Sequence, residues 1–484
     1  MAPAPENAAR RVALNTLAPM AARVVDAAFA IVYLRLLGRA DVGAYQFVII
    51  FTTYLDTFID FGLNALVARE VSRGSVAAGA AFRAVNILRL ALWCVGLPVV
   101  AIVYGPLRET ANLSPEAALA GWTFYVALLP TVLAKTATAV LWAGERLELT
   151  AGVSVLATLF RTGVGGVALF GGLGLVGLAA TSALTNIMSA LVLWRLAART
   201  PLTVRITQSR PMRWLTESWP LFLNQLLQGL FFKVDGLLLL PLAGAVAGGT
   251  YAAAYKVSEG AGIVSSAFTL ALFPRLSRSS DRSPNAAEGL ARAYRLPLRL
   301  LFQVAFPLAA GVALLADPIV SIVAGRDYLP ESAMALSILM CYLPLSYANG
   351  LTQYVLIAAG RQRLLTAAFV AALVFNVAAN LALIPRFGYI GAAWVTVASE
   401  LVLLVPFGWA VRKVAPGVSL LREAQLPVLA TLLMAPVVWW LRDAIHPGAA
   451  LVAGLVIYPI ALWSLGGIDH DEIRLLRQLI PRPR

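Results

Sequence analysis

The stretch Gly38–Arg73, GRADVGAYQFVIIFTTYLDTFIDFGLNALVAREVSR, returns in outline at Gly244–Arg278, GAVAGGTYAAAYKVSEGAGIVSSAFTLALFPRLSR. Aligned without a gap, Gly38 falls on Gly244, Gly43 on Gly249 and Tyr45 on Tyr251, and Ala65-Leu66 before Arg69 falls on Ala271-Leu272 before Arg275. Each copy reads as a long apolar helix that opens on small residues and closes on Arg, so the chain is expected to consist of two related halves. Two further matches occur in the same order. Gly144, Thr150 and Ala151 of GERLELTA fall on Gly360, Thr366 and Ala367 of GRQRLLTA, and GLVGLAATS from Gly174 runs against GYIGAAWVT from Gly388.

Composition sets the class. The 484 residues are 60% hydrophobic and 13% charged, with a mean hydropathy of +0.80, too apolar for an ordinary soluble domain. An all-α polytopic membrane protein is expected. About 20 apolar residues span a bilayer as a helix, and roughly 14 such stretches fit here, leaving no room for a folded soluble domain.

Outward from the quoted stretch, spans are expected near Val12–Leu37, Val42–Val67, Val85–Tyr104, Ala117–Trp142, Leu149–Phe170 and Leu175–Trp194. The second half repeats them near Leu215–Leu240, Ala245–Phe273, Leu296–Leu315, Ala333–Ala359, Leu364–Ile384 and Tyr389–Val411, and Leu426–Leu441 and Ala449–Leu465 have no counterpart. The expected divisions are an N-lobe of six helices (1–205), a C-lobe of six (206–415) and a last pair with a basic tail (416–484). Residues 1–11 show no cleavable signal pattern, and the tail from Asp469 reads as an amphipathic helix on the membrane surface.

The net charge of +14 does not indicate nucleic acid, because the basic residues sit between apolar segments. On one side only Arg35, Arg39, Arg108, Arg326, Arg386 and Arg442 are found, and the other holds most of the remaining arginines. Lys and Arg mark the cytoplasmic side, so both termini are expected there. An even number of spans per repeat gives the two copies one orientation, an arrangement transporters use to rock two halves about a central site.

The chemistry then lies in charges inside the spans: Arg23, Arg89, Lys135, Arg161, Lys233, Lys256 and Arg299, against Asp26, Asp56, Asp60, Asp235, Glu259 and Glu400. Facing lipid, they would together cost about 40 kcal/mol, at roughly 3 kcal/mol each, several times a protein's whole stability. They are therefore expected to face protein or water. Arg89, Arg299 and Asp60 lie near span ends, where snorkelling accounts for them. Arg23, Lys135, Arg161, Lys233 and Lys256 lie deeper and are the candidate cavity cations.

Arg23–Asp26 and Lys256–Glu259 are spaced i,i+3 and could equally be local ion pairs. Thr52, Asp56, Asp60 and Asn64 recur every four residues on the second span, and Asn224, Gln228 and Asp235 form a similar stripe on the seventh, with Lys233 to one side. Polar faces on corresponding helices of both halves point to a shared aqueous cavity.

Other signals carry less. Gly172-Leu-Gly174-Leu-Val-Gly177 matches GxGxxG without a surrounding βαβ unit and reads as a helix connection. There is no Walker A sequence, nucleophile–base set or metal cluster, so no enzyme and no metal are expected. Cys94 and Cys341 read as buried small hydrophobes. Asn112-Leu-Ser114 is formally a glycosylation sequon.

Leu36-Leu-Gly38-Arg-Ala-Asp-Val-Gly43-Ala-Tyr45, followed by Asp60-Phe-Gly-Leu63 and Ala68-Arg-Glu70, resembles the N-terminal signature of polysaccharide-biosynthesis flippases of the Wzx type, within the multidrug/oligosaccharidyl-lipid/polysaccharide (MOP) exporter superfamily. Leu343-Pro-Leu-Ser-Tyr-Ala-Asn-Gly350, Ala358-Ala-Gly-Arg361 and Leu383-Ile-Pro-Arg-Phe-Gly-Tyr-Ile-Gly-Ala-Ala393 resemble its C-lobe pattern. The resemblance covers nearly the whole chain, through packing and loop residues rather than substrate contacts.

It implies fourteen helices in two lobes about a cavity lined by the first, second, seventh and eighth. The implied activity moves an undecaprenyl-pyrophosphate-linked oligosaccharide across the cytoplasmic membrane, with a polysaccharide polymerase and glycosyltransferases as partners. A pyrophosphate headgroup wants cations in a low dielectric, and sugars want hydrogen-bonding side chains. On that matching Arg23, Lys233 and Lys256 contact the anion. Lys135 and Arg161 lie on helices that the family places more peripherally. Tyr251, Tyr255, Asn224, Gln228, Asn349 and Gln353 would meet sugar, and the last two helices could shelter the polyprenyl chain. Asp26, Asp56, Asp235, Glu259 and Glu400 would pair with the cations or bind a coupling H+ or Na+. No other cofactor is implied.

Three alternatives stand beside this reading. A cation-coupled drug exporter would share the fold, but deep cations here match or outnumber deep acids. A lipid II flippase is a near relative, though the first two helices lack its usual start. A membrane polymerase or ligase needs a large external loop, and the external connections here are short.

Overall fold

The computed structural model describes residues 21–22, 24–72, 78–199, 211–279 and 286–468. Among these the secondary structure is helical throughout, without strands. Ten helices are long and apolar enough to cross a membrane, eleven with the bent pair Glu331–Met340 and Leu343–Ala358 counted as one, so the protein is a multi-pass membrane protein. The expected number of about 14 is not reached by this measure. One reason is that Gln362–Val414, a single 53-residue element broken at Gly388, carries two of the expected spans. Another is that the first span begins outside the described residues.

Two compact units divide the chain, Met1–Ala252 and Ala253–Arg484. The first holds α1 (24–36), α2 (Arg39–Asp60), α3 (Leu63–Ser72), α4 (Ala78–Tyr104), α5 (Pro115–Ala143), α6 (Leu147–Phe170), α7 (Gly174–Ala198), α8 (Pro211–Ala243) and the opening of α9 (Ala245–Ser279). It thus runs beyond residue 205 to include α8.

The motif Asp60-Phe-Gly-Leu63 is a break between helices. Phe61 and Gly62 both take left-handed backbone conformations, φ 48° and 72°, and the Phe61 N–H caps α2 on Thr57 O. At Gly62 a Cβ would lie 2.9 Å from both Leu221 Cβ and Phe222 N, so the missing side chain lets α8 approach. Phe61 then stacks on Phe222 with ring centroids 4.4 Å apart, and the Tyr54 hydroxyl donates to Gly229 O at 3.2 Å. Leu63, Leu66 and Val67 of α3 bury against Val85, Ala139 and Trp214, joining α3, α4, α5 and α8 in one apolar core.

Local chemistry sets several ends. Ser114 caps α5 by accepting from Ala117 N at 3.1 Å, with Pro115 in the first turn. The other sequon residue, Asn112, donates its side-chain amide to Leu240 O at 3.4 Å, a structural use of that side chain. Gly172 and Gly174, both at positive φ, form the connection between α6 and α7.

The second unit continues α9 and adds α10 (Ala286–Leu314), α11 (Ala316–Val323), α12 (Glu331–Met340), α13 (Leu343–Ala358), α14 (Gln362–Val414), α15 (Leu420–Ala444) and α16 (Pro447–Ser464). The last pair, without counterpart in the repeat, is fastened to α10. Arg295 Nε and Arg299 Nε meet the two oxygens of Glu423 on α15 at 2.6 and 3.0 Å. Gln303 Nε2 donates to Gly467 O at 2.8 Å, and Arg442 Nη1 to Leu314 O at 2.7 Å. Between these ties, Ala430, Met434 and Val438 pack on Ala450, Tyr458 and Leu462.

Arg299 therefore does not snorkel, as its position near a span end led us to expect; a buried carboxylate holds it. Glu423→Ala, which leaves two arginines facing each other, is expected to lower stability by about 2 kcal/mol. Unfolding of the purified protein in detergent checks this, and a loss no larger than that of the exposed Glu288→Ala overturns it. Cys94 and Cys341, expected to be buried, are instead exposed and unpaired. Cys94 lies on α4 beside the exposed Val95, and Cys341 lies in the turn between α12 and α13.

Candidate functional site

The polar stripe of α2 is the frame of the first unit. Asp56 and Asp60 lie one turn apart, so both carboxylates leave the helix on one face. Asp56 receives Lys135 Nζ of α5 on both oxygens, at 2.9 and 2.7 Å. Asp60 receives Arg89 Nη2 of α4 at 2.5 Å. Arg89 Nη1 also donates to Thr136 Oγ1, whose hydroxyl passes on to Asn86 Oδ1 at 2.6 Å.

These neighbouring pairs have different environments. Arg89 is fully buried and Asp60 nearly so, whereas Lys135 and Asp56 each keep about a quarter of their side chains exposed. Arg89 and Asp60 thus form an internal ion pair, which corrects the expectation that both snorkel. Arg89 is too deep to reach solvent, so a carboxylate and a hydroxyl replace its hydration.

A third pair joins Arg161 of α6 to Asp26 of α1, both about two-fifths exposed. Asp26 is thus paired across helices; Arg23, the local partner that its i,i+3 spacing allowed, lies outside the described residues. On α8, Lys233 is half-buried and Asp235 is buried. The Asp235 carboxylate accepts from the Tyr251 hydroxyl of α9 and from Gly236 N at 2.7 Å. Asn224 is exposed and Gln228 half-buried on the same helix.

The same unit contains a near-symmetric crossing of the repeated motif. A Cβ built on Gly43 of α2 would lie 2.0 Å from Ala245 O, and one on Gly249 of α9 would lie 1.8 Å from Arg39 O. The residues aligned by the sequence repeat are the residues whose backbones touch.

In the second unit, Lys256 Nζ meets Glu259 Oε2 at 2.9 Å along α9, each about a third exposed, which is the local pair that the i,i+3 spacing allows. Tyr255 is half-buried beside it. Glu400 of α14 is buried, and Asn349 Nδ2 of α13 donates to its Oε2 at 2.7 Å and its backbone oxygen at 2.9 Å. Asn349 is therefore committed to Glu400 rather than open to a sugar, while Gln353 is half-buried. Glu423 is an internal ion-pair residue that the sequence reading missed. It lies at the start of α15, and only the fold brings two arginines of α10 to it.

Three half-exposed pairs, Lys135–Asp56, Arg161–Asp26 and Lys256–Glu259, share one chemistry. Each offers an ammonium or guanidinium to an anion and a carboxylate to a hydroxyl, which a buried pair cannot do. Among the described residues no group of three or more His, Cys, Asp or Glu could hold a metal ion.

A family model described as polysaccharide biosynthesis protein matches residues 8–280, and one described as lipid II flippase MurJ matches 238–458. No curated protein matches the chain significantly. Among solved structures, the lipid II flippase MurJ in an inward closed conformation is 13% identical, covering 93% of this chain and 97% of that one, with a TM-score of 0.76. An inward-facing multidrug resistance MATE family transporter of the MOP superfamily is 16% identical over 81% of this chain and 96% of that one, TM-score 0.66. A MOP superfamily transporter from Pyrococcus furiosus is 16% identical over 83% and 93%, TM-score 0.54. These identities speak for the fold alone.

Proposed function

This chain belongs to the polysaccharide biosynthesis protein family, and on that premise we propose that it is a flippase. It moves undecaprenyl-pyrophosphate-linked oligosaccharide repeat units across the cytoplasmic membrane by alternating access, supplying a surface polysaccharide. Family and fold are those of transporters rather than catalysts. The observation that carries the reading is the set of half-exposed cation–carboxylate pairs inside apolar helices. A pyrophosphate bearing sugars presents charge and hydroxyls together, and a paired cation and carboxylate answer both. Lys233 and Lys256 are assigned to the anion. A polymerase and glycosyltransferases act before and after this step, both termini face the cytoplasm, and a cation gradient drives the cycle.

A family model of a lipid II flippase covers 238–458, so the identity of the carried lipid is the part of the reading to test first. Deleting the gene should cause complete lipid-linked repeat units to accumulate and surface polymer to disappear, as read by mass analysis of extracted polyprenyl-linked oligosaccharides. Accumulated lipid II would assign the other glycan, and normal glycans with heightened sensitivity to cationic drugs would assign a drug exporter. Lys233→Ala and Lys256→Ala are each expected to reduce surface polysaccharide at least tenfold at unchanged membrane abundance, a loss of about 1.4 kcal/mol or more in headgroup binding. Unchanged polymer in both would remove these lysines from the site.

A further inference from the structure

The ion pairs of Lys135 and Lys256 are held differently. Lys256 meets Glu259 Oε2 at 2.9 Å, whereas Lys135 on α5 is gripped by both oxygens of Asp56 on α2, at 2.9 and 2.7 Å. That grip is set from behind. Thr136, next to Lys135 in the chain, is fully buried between Arg89 and Asn86, so the turn of α5 that presents the ammonium is fixed. Three threonines stand around the pair. Thr53 and Thr57 share the face of α2 that carries Asp56, and Thr131 lies one turn before Lys135 on α5. Each hydroxyl donates to the carbonyl four residues earlier: Thr53 to Ile49 O at 2.8 Å, Thr57 to Thr53 O at 2.9 Å and Thr131 to Ala127 O at 2.9 Å. Such back-bonding is ordinary in an apolar helix, but a hydroxyl has a single O–H, so what these three retain is acceptor capacity. Thr53 is exposed, and Thr57, Thr131, Asp56 and Lys135 are half-buried.

We propose that this α2–α5 face, Asp56 and Lys135 with Thr53, Thr57 and Thr131, is a subsite for a neutral, hydroxyl-rich sugar of the transported headgroup, and that it discriminates against acidic sugars. The face offers many acceptors and few donors. An anion would meet a carboxylate and three oxygen acceptors, with the nearby cation already neutralised by its chelating partner. A neutral sugar brings several O–H donors, which the Asp56 lone pairs and the threonine oxygens accept, and the third N–H of Lys135 is left for a sugar oxygen. Acceptors that lack donors are poorly satisfied, so the site favours the ligand that supplies them. Unit 1 thus reads the sugar here, apart from the lysines assigned to the pyrophosphate. That the sugar belongs to a lipid-linked headgroup rests on the flippase reading; the preference for a neutral sugar does not.

The test uses the full chain in lipid nanodiscs and two free disaccharides as probes, cellobiose and its acidic counterpart cellobiuronic acid, with saturation-transfer NMR as the readout. The wild type is expected to bind cellobiose severalfold better than the uronate. Thr53→Val with Thr57→Val keeps shape and charge but removes two acceptors, and should lower cellobiose binding severalfold. Asp56→Asn leaves Lys135 without its chelating carboxylate, so the preference should invert towards the uronate, a gain that a misfolded protein would not show. A wild type that binds neither disaccharide or prefers the uronate, a double valine variant that binds cellobiose as the wild type does, or an Asp56→Asn variant with the wild-type preference overturns the subsite. Gene deletion separates the two readings. Accumulated lipid-linked repeat units without any disaccharide preference would remove the subsite and keep the flippase, whereas normal glycans after deletion with the preference intact would defeat the flippase reading and leave the sugar subsite standing.

Discussion

Arg89→Ala is expected to destabilise the protein by about 4 kcal/mol, because it strands the buried carboxylate of Asp60 without its cation. The guanidinium is fully buried and holds Asp60 at 2.5 Å and Thr136, so removal opens a large cavity and strands Asp60, while Thr136 keeps its bond to Asn86. Lys135→Ala on α5, whose partner Asp56 lies one turn from Asp60 on α2, is expected to cost about 1 kcal/mol or less, since Asp56 keeps access to water. The readout is unfolding in detergent together with membrane abundance. Equal losses in the two variants would show that burial does not separate the pairs. The double variant Arg89→Met with Asp60→Leu removes both charges and should recover much of the stability, because well-packed apolar groups often replace a buried pair at no net cost.

The contrast also separates folding from transport. Arg89–Asp60 is closed off and therefore structural, whereas Lys135–Asp56, Arg161–Asp26 and Lys256–Glu259 remain partly open. On the proposed function, a variant of an open pair is expected to lower surface polymer while still accumulating in the membrane.

The class of fold was legible because an apolar span leaves a long signature: hydropathy, the Gly38 and Gly244 copies, and arginines in alternate connections are all local or periodic. The break at Phe61-Gly62 was not, since Asp60-Phe-Gly-Leu63 sits inside a continuous apolar run and its left-handed backbone is fixed by the approach of α8. Pairings were legible only along one helix. Lys256–Glu259 follows from i,i+3 spacing, but Arg161–Asp26, Lys135–Asp56 and Arg299–Glu423 join residues 135, 79 and 124 positions apart. Position near a span end gave Arg89 the wrong environment for the same reason. Depth along a helix says nothing of which side faces another helix, and Asn86 and Arg89 on one face of α4, with Lys135-Thr136 on α5, would have been the available hint.

Gly249→Ala is expected to force α2 and α9 apart at the crossing of the repeated motif and to cost about 3 kcal/mol. A methyl group there would lie 1.8 Å from Arg39 O, and the obstacle is backbone, which cannot swing aside as a long side chain can. Helix propensity alone predicts the opposite sign, a gain of roughly 0.5–1 kcal/mol for Gly to Ala inside a helix. Gly260→Ala and Gly262→Ala on the same helix meet nothing within 4 Å and are expected to follow propensity. Unfolding measurements on the three variants therefore isolate the contact, and a Gly249→Ala that is as stable as Gly260→Ala would dissolve the crossing. Gly43→Ala meets Ala245 O at 2.0 Å from the other side and should match Gly249→Ala. Once either methyl has separated the helices, the second finds room, so the double variant should cost little more than either single one. Additive losses would show two independent contacts in place of one crossing.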